Sequence, residues 1–143
     1  MTAGTLTKET TEAAIKFFEA KLAFETGPVA LNNLVNNKEK VQIIDLRTPE
    51  LYAKGHVPTA INVSYDELEK HLTKLNKDEN IVVYCYDITC FLSTKAALLI
   101  AKKGYKVQEL YGGWQSWVEH EFKVEGKAEA SSCSSHSPKS SCG

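Results

Sequence analysis

The chain is poor in the features that bind nucleic acid or enter a membrane. Arg47 is its only arginine, and 17 basic residues face 18 acidic ones, so the formal net charge is −1. No apolar run approaches the roughly 18 residues that cross a bilayer. The N-terminus MTAGTLTKETTEAAIKFFEAK also lacks the apolar core of a signal peptide. We therefore expect a cytoplasmic protein with no nucleic-acid or membrane partner.

Cysteine is also scarce, and it is unevenly distributed. The four cysteines form two distant pairs, Cys85 with Cys90 and Cys133 with Cys142. Small secreted proteins that depend on disulfides are much denser in cysteine, whereas proteins of a reducing compartment keep thiols for redox, metal or nucleophilic chemistry. We therefore interpret these cysteines as thiols rather than as a disulfide framework.

Short apolar strands alternate with helical patterns along most of the chain. The predicted strands cover residues 41–46, 60–63, 81–85 and 106–110. The predicted helices cover residues 9–25, 28–34, 50–54, 65–75, 93–103 and 114–121. This alternation predicts an α/β fold in which a parallel sheet is covered by helices on both faces.

Composition divides the chain into three parts. Residues 1–27 are predicted to form an N-terminal helical extension, and residues 28–125 the folded domain. Residues 126–143 are rich in serine and contain no large apolar side chain, so they cannot bury enough surface to fold alone. We predict that this last part is a flexible tail.

Cys85 stands where an open α/β sheet places its sites. It ends the apolar run IVVYC, and the carboxyl ends of parallel strands form the ligand-binding edge of such sheets. A helix that begins at Ser93, with Ser93 as its N-cap, would direct its partly positive end and free N–H groups at the same loop. Both would favour the thiolate and make Cys85 a nucleophile. The alternative is that Cys85 is a small buried core residue.

Three ordered motifs resemble the signatures of the rhodanese family. IIDLRTPELYAKGHVPTAINV is similar to its first signature, VVYC to the strand before its catalytic cysteine, and KKGYKVQELYGGWQSW to its closing signature. The matching positions are Asp45, Arg47, Glu50, Gly55, His56, Pro58, Ala60, Ile61, Asn62, Gly104, Tyr105, Val107, Leu110, Gly112, Gly113 and Trp117. Thr59 replaces a glycine of the family pattern, and the resemblance covers roughly residues 28–124.

The resemblance implies a five-stranded parallel sheet between helices, to which the predicted N-terminal helix is an addition. It also implies a sulfurtransferase or sulfur carrier, in which Cys85 takes sulfane sulfur as a persulfide and passes it to a thiol or protein acceptor. Thiosulfate, polysulfide or a protein persulfide would be the donor, and no cofactor is implied. Asp45, Arg47 and His56 match positions that we interpret as structural residues near the site.

The loop after Cys85 departs from the family pattern. It is longer, it contains neither glycine nor arginine, and its residues are Tyr86, Asp87, Ile88, Thr89, Cys90, Phe91 and Leu92. Related phosphatases and arsenate reductases have an arginine at the position of Phe91, so bidentate capture of phosphate is not expected here. Asp87 should repel the thiosulfate dianion and raise the pKa of the thiol, which favours a polysulfide or persulfide donor. Alternatively, Asp87 simply turns the loop.

Cys90 follows Cys85 by five residues and is a candidate resolving thiol. It could attack a persulfide on Cys85, release sulfide and leave a disulfide, provided that the loop brings the two α-carbons within roughly 7 Å. The alternative is that Cys90 packs under the loop. Two further functions stay open: a non-catalytic rhodanese-like binding module, and a dithiol redox or sulfide-releasing protein.

The tail residues Cys133, His136 and Cys142 resemble part of a zinc site. Structural zinc uses four ligands, so three on a tail are incomplete and we expect no metal. A mobile thiol arm that serves Cys85 is another use of the same residues. The sequence leaves open whether the protein is a monomer or a dimer.

Overall fold

The computed structural model describes residues 7–126, which contain six helices and five strands. The helices are α1 (Lys8–Phe24), α2 (Pro28–Asn36), α3 (Pro49–Lys54), α4 (Tyr65–Leu72), α5 (Leu92–Lys102) and α6 (Gly113–Glu119). The strands are β1 (Glu25–Thr26), β2 (Val41–Asp45), β3 (Ile61–Asn62), β4 (Asn80–Tyr84) and β5 (Val107–Leu110). Cys133, His136 and Cys142 lie outside the described residues, so their predicted roles stay predictions.

The five strands form one sheet in the order β1-β5-β4-β2-β3, and every neighbouring pair is parallel. This confirms the predicted fold class. The sequence pattern indicated only four of the strands, because β1 consists of two polar residues. Its strand conformation comes from pairing with β5, where Thr26 lies opposite Leu110. The sheet thus begins before residue 28, and the predicted boundary of the domain at that residue stays a prediction.

Both faces of the sheet are covered, as predicted, because successive strand residues point to opposite sides. One face packs against α4 and α5, and its core includes Ile44, Val83, Leu68, Leu72, Ala96 and Ile100. The other face packs against α2 and α6, and its core includes Ile43, Val82, Tyr84, Leu31 and Trp117. The central strands β2 and β4 therefore have buried side chains on both faces, which explains their continuous apolar runs.

The predicted element ends agree with the structure to within one or two residues, with one exception. Helix α4 ends at Leu72 and not at Leu75. After it the backbone tightens, since Lys74 N–H bonds to His71 O and Leu75 N–H to Leu72 O, each three residues back. Leu75 still packs against the core, so the apolar spacing that predicted a longer helix is satisfied by the turn. Helix α2 continues to Asn36.

Helix α1 begins with a reciprocal cap and then lies on the outside of the domain. Thr7 and Thr10 each bond to the other's backbone N–H, which satisfies donors that the first turn leaves free. None of its residues is buried, and Phe17, Phe18 and Leu22 are largely exposed. Among residues 7–126, no helix is long and apolar enough to cross a membrane.

Candidate active site

Cys85 lies at the carboxyl edge of the sheet, directly after the central strand β4. Only 1% of its surface is exposed. Residues 86–91 then curl over it and lead into α5. The predicted N-cap is wrong: Phe91 occupies that position without a side-chain cap. The Ser93 hydroxyl donates instead to the Glu109 carboxylate on β5 at 2.9 Å, which ties the start of α5 to the neighbouring strand.

The curled loop brings the two predicted thiols into contact. The Sγ atoms of Cys85 and Cys90 lie 2.8 Å apart, within hydrogen-bond distance, and both cysteines are free. Cys90 is half-buried, whereas Cys85 is buried. The structure therefore presents a dithiol in which the buried Cys85 sulfur contacts the more exposed sulfur of Cys90.

Asp87 holds the loop in its curled form. Its carboxylate accepts hydrogen bonds from the N–H and the hydroxyl of Thr89, at 2.8 and 2.6 Å, and its carbonyl accepts from Cys90 N–H at 3.2 Å. The bonds from Thr89 also lower the pKa of Asp87. Of the two roles considered for Asp87, the geometry thus shows the turn-forming one. The lowered pKa also keeps its carboxylate negatively charged.

The start of α6 ties the loop down from the other side. The backbone N–H of Trp114 donates to Cys85 O and that of Gln115 to Tyr86 O, both at 2.9 Å. Gly113 permits this approach: its φ is +59°, and a Cβ there would lie 2.8 Å from Cys85 O. The sequence matched Gly112 and Gly113 to the family's closing signature but gave no sign that Gly113 contacts the backbone of Cys85.

A buried ion pair supports the site from below. The Arg47 guanidinium bonds to both Asp45 carboxylate oxygens, with Nη2 2.7 Å from Oδ2, and also to Gly55 O at 2.6 Å. The hydroxyl of Tyr84 donates to Asp45 at 2.6 Å, and the guanidinium lies 4.3 Å from the Trp114 ring centre. The single arginine is therefore held by Asp45 and Gly55 O, and its side chain makes no hydrogen bond to the described loop residues 86–91.

His56 has the surroundings of a structural residue. Its ring stacks on Tyr52 with ring centres 3.7 Å apart, and Nδ1 lies 2.7 Å from Tyr52 O. Its backbone forms a two-bond bridge with Glu125, which joins the end of the described chain to the domain. None of these contacts is with Cys85.

A small cavity of about 150 Å³ opens beside the loop, and Cys90 is the one cysteine among residues 7–126 that lines it. Three carboxylates, those of Glu25, Asp87 and Glu109, also line it, and among the described residues no lysine or arginine does. Phe91, 70% exposed, forms part of its apolar wall. This lining adds two carboxylates to that of Asp87, and the expectation that dianionic donors are disfavoured stays a prediction.

The Cys85 thiol is less acidic than the sequence predicted. Burial, followed by the hydrogen bond with Cys90, raises the pKa of Cys85 to about 12. The Tyr86 backbone N–H lowers this pKa, and the charge of Asp45 adds to the rise. The loop also leaves fewer of its own N–H groups free for a thiolate, because those of Thr89 and Cys90 bond to Asp87. The prediction of a lowered pKa is therefore wrong for this closed loop.

The raised pKa predicts a steep pH dependence of Cys85 alkylation. The thiolate fraction should grow about tenfold per pH unit from pH 7 to pH 10, without the plateau near pH 8.5 of an ordinary thiol. Peptide-resolved mass spectrometry after brief iodoacetamide pulses measures this rate. The urea-unfolded chain is the control and should show the plateau, while a folded-state plateau below pH 8 would contradict the burial argument.

The same shift affects stability. The folded pKa lies above the unfolded one, so this thiol's contribution to stability is complete below about pH 8.5 and is lost as the pH rises toward the folded value.

Comparison with known proteins agrees with this architecture. The family described as "Rhodanese-like domain" matches residues 28–120. The chain is 35% identical over 78 residues to the HTH-type transcriptional regulator Rv0324 of Mycobacterium tuberculosis, covering 54% of this chain but only 34% of that one. It is 30% identical over 84 residues to the thiosulfate sulfurtransferase GlpE of Coxiella burnetii, covering 58% of this chain and 77% of the relative.

A solved structure is similar to most of this fold. The BH2092 protein of Bacillus halodurans superposes with a TM-score of 0.76 at 32% identity, over 82% of this chain and 88% of its own. The family match covers well over half of the sequence, and it includes β4, Cys85 and the loop that follows. This chain belongs to the rhodanese-like domain family.

Proposed function

We propose that this protein carries sulfane sulfur as a persulfide on Cys85 and transfers it to a thiol or protein acceptor. The observation that supports this most is the position of Cys85 at the end of the central strand, under a loop that two backbone bonds from α6 hold closed. Family membership and the relative named as a sulfurtransferase support sulfurtransferase chemistry at the level of the family. The free thiols of residues 85 and 90 suit a reducing compartment such as the cytoplasm.

The chemistry consists of two displacements at sulfur. In the first, the Cys85 thiolate attacks the sulfane sulfur of the donor, an S–S bond forms, and the rest of the donor leaves as a thiolate or sulfur anion. In the second, an acceptor thiolate attacks the outer sulfur and Cys85 leaves as a thiolate. No electrons are gained or lost overall. Because Cys85 is buried, the loop of residues 86–91 must open for loading, which would also restore the thiolate's exposure to water.

The three carboxylates of the cavity favour donors with little negative charge. Neutralising Asp87 with Asp87→Asn keeps the oxygen that accepts from Thr89 and removes the charge. We expect the rate of loading from thiosulfate to rise a few-fold at low ionic strength, with less gain at high salt, because exposed charges are screened. Loading from an uncharged organic trisulfide should not change.

A remote carboxylate provides the control for that prediction. Glu39 is exposed and precedes the amino end of β2, at the opposite edge of the sheet from the loop. Glu39→Gln removes the same charge and should leave both rates unchanged. Equal acceleration in the two variants would indicate an effect of net charge and not of the cavity.

Intact-protein mass spectrometry tests the proposed function directly. Wild type and Cys85→Ser are incubated with thiosulfate or polysulfide without reductant, trapped at short times with iodoacetamide, and digested to locate the added sulfur. We expect one added sulfur atom on Cys85 in the wild type and none at residue 85 in the variant. An unmodified Cys85 under both donors would favour the non-catalytic binding module.

Cys133→Ser/Cys142→Ser serves as the matched control, because it removes two thiols outside the described residues and leaves the loop intact. Its loading should equal that of the wild type. If loading disappears with the tail thiols and persists in Cys85→Ser, the sulfur carrier is the tail and the proposal for Cys85 fails.

A further inference from the structure

We propose that Cys90 reduces the persulfide on Cys85, releasing sulfide and leaving a Cys85–Cys90 disulfide that an external thiol or dithiol then reduces. This inference rests on the proposed loading of Cys85 and specifies the fate of the sulfur when no acceptor is bound. It makes the site a persulfide reductase as well as a carrier.

The geometry decides which sulfur Cys90 would attack. A persulfide has an inner sulfur, the Sγ of Cys85, and an outer one, and attack on the outer sulfur would merely move it to Cys90. The 2.8 Å contact is between Cys90 Sγ and Cys85 Sγ, so Cys90 already lies against the inner sulfur. Attack there expels the outer sulfur as hydrosulfide, which is a weaker base than an alkyl thiolate and hence a better leaving group.

The step balances without a further reactant. Cys90–SH and Cys85–S–S⁻ give Cys85–S–S–Cys90 and HS⁻, with the proton of Cys90 passing to the departing sulfur. The two cysteine sulfurs are oxidised by two electrons in total, and the sulfane sulfur is reduced by two to sulfide. Resetting the site requires two electrons from a second reactant, which the proposal assigns to a thiol or dithiol reductant.

The loop is built to keep the two sulfurs together. Asp87 fixes its turn through Thr89 and Cys90 N–H, and α6 holds Cys85 and Tyr86 through their carbonyls. Together these bonds hold the backbone between Cys85 and Cys90 in place, from within the loop and from α6. Disulfide formation requires that the two sulfurs approach closely, and the dithiol state holds them 2.8 Å apart.

The exposure of the two thiols also assigns the order of reduction. Cys90 lines the cavity and is half-buried, whereas Cys85 is 1% exposed and does not contribute to the lining. A reducing thiol entering the cavity therefore meets the sulfur of Cys90 first. It would form a mixed disulfide at Cys90 and free Cys85 for the next donor.

The test uses single-turnover sulfide release. The full chain and its Cys90→Ser variant, each in the Cys133→Ser/Cys142→Ser background, are treated with one equivalent of polysulfide and desalted. Sulfide is then trapped with monobromobimane while intact mass is followed. We expect the parent to release one sulfide per loaded protein and to lose two hydrogens. Cys90→Ser should keep its added sulfur, with release slowed at least about a hundredfold, since only water and stray thiols remain.

The outcomes separate the two proposals. Loading of Cys85 in both proteins with equal rates of sulfide release overturns the role of Cys90 and leaves the sulfur carrier intact. No loading in either protein overturns the carrier itself. A sulfur atom found on Cys90 without disulfide would mean attack on the outer sulfur, and the reductase would be wrong.

Adding glutathione or a dithiol to the oxidised parent then distinguishes the two sources of electrons. Each should restore two thiols, and the faster one identifies the class of reductant. A Cys85–Cys90 disulfide that neither reagent reduces would overturn catalytic turnover.

Discussion

Replacement of Arg47 by methionine is expected to lower the free energy of unfolding by about 3–5 kcal/mol, the cost of breaking a buried ion pair. Methionine preserves the length of the side chain but removes every donor. Asp45, 0% exposed, would keep only the bonds from Tyr84 and the residue-47 backbone N–H, and Gly55 O would lose its partner. An unpaired buried carboxylate is among the most destabilising defects known in protein cores.

Urea unfolding followed by tryptophan fluorescence measures this loss, since Trp114 and Trp117 lie on the same side of the sheet as the pair. The Arg47→Met/Asp45→Asn double variant should recover part of it, because removing both charges leaves no ion unpaired.

Lys70→Met is the matched control for a surface pair. Lys70 and Glu67 are 3.8 Å apart, but 82% and 64% of their side chains are exposed. Breaking this pair should change stability by less than about 0.5 kcal/mol. If Lys70→Met and Arg47→Met lower the free energy of unfolding equally, the buried ion pair contributes no more to stability than the exposed one.

Gly113→Ala is expected to reduce Cys85 loading by about a hundredfold, because a displacement of about 1 Å at a reacting group has effects of that order. The new Cβ would lie 2.8 Å from Cys85 O and 3.1 Å from both Asp87 N and Tyr86 C. These are backbone atoms, so the conflict can be relieved only by moving the loop or α6. Either movement breaks the bond from Trp114 N–H to Cys85 O. Stopped-flow loading with polysulfide measures the rate on protein shown to be folded.

Gly104→Ala separates the steric effect from backbone strain. Gly104 also has a positive φ, +87°, but the nearest atom to its Cβ position is Lys77 Nζ at 4.0 Å. Both alanine variants should therefore pay roughly 1–2 kcal/mol for the left-handed conformation. Only Gly113→Ala should also lose activity per folded molecule, and an equal loss in both would assign the effect to stability alone.

Much of the fold follows from local patterns in the sequence. The runs VQIID and NIVVY are buried on both faces, so they were visible as apolar segments, and α5 was visible from its apolar spacing and Gly104. Strand β1 was not predictable, because Glu25 and Thr26 owe their conformation to pairing with residues 109 and 110. The N-cap was mispredicted for a similar reason: Ser93 has a better partner in Glu109, sixteen residues away.

The position of the candidate site was predictable from the sequence, but the burial and pKa of its thiol were not. The motif around Asp45 and the run ending at Cys85 indicated where the proposed nucleophile lies, at the carboxyl end of β4. The raised pKa of Cys85 depends on how deeply the loop buries it and on which N–H groups the loop uses for its own turn. Neither property is local in sequence. The contact of Gly113 with Cys85 O likewise joins segments that only the finished sheet brings together.

The all-parallel sheet has a consequence for how the chain reaches this state. Each central pairing joins distant residues, since Ile44 lies opposite Val83 and Val83 opposite Glu109. Such contacts require long loops to close before any stabilisation is gained, which makes parallel sheets slow to form. Strand β4 must acquire a neighbour on each side before the loop after it is supported. Until then the nascent chain presents both thiols of the pair to oxidants and to other cysteines, so folding speed sets how long they go unprotected.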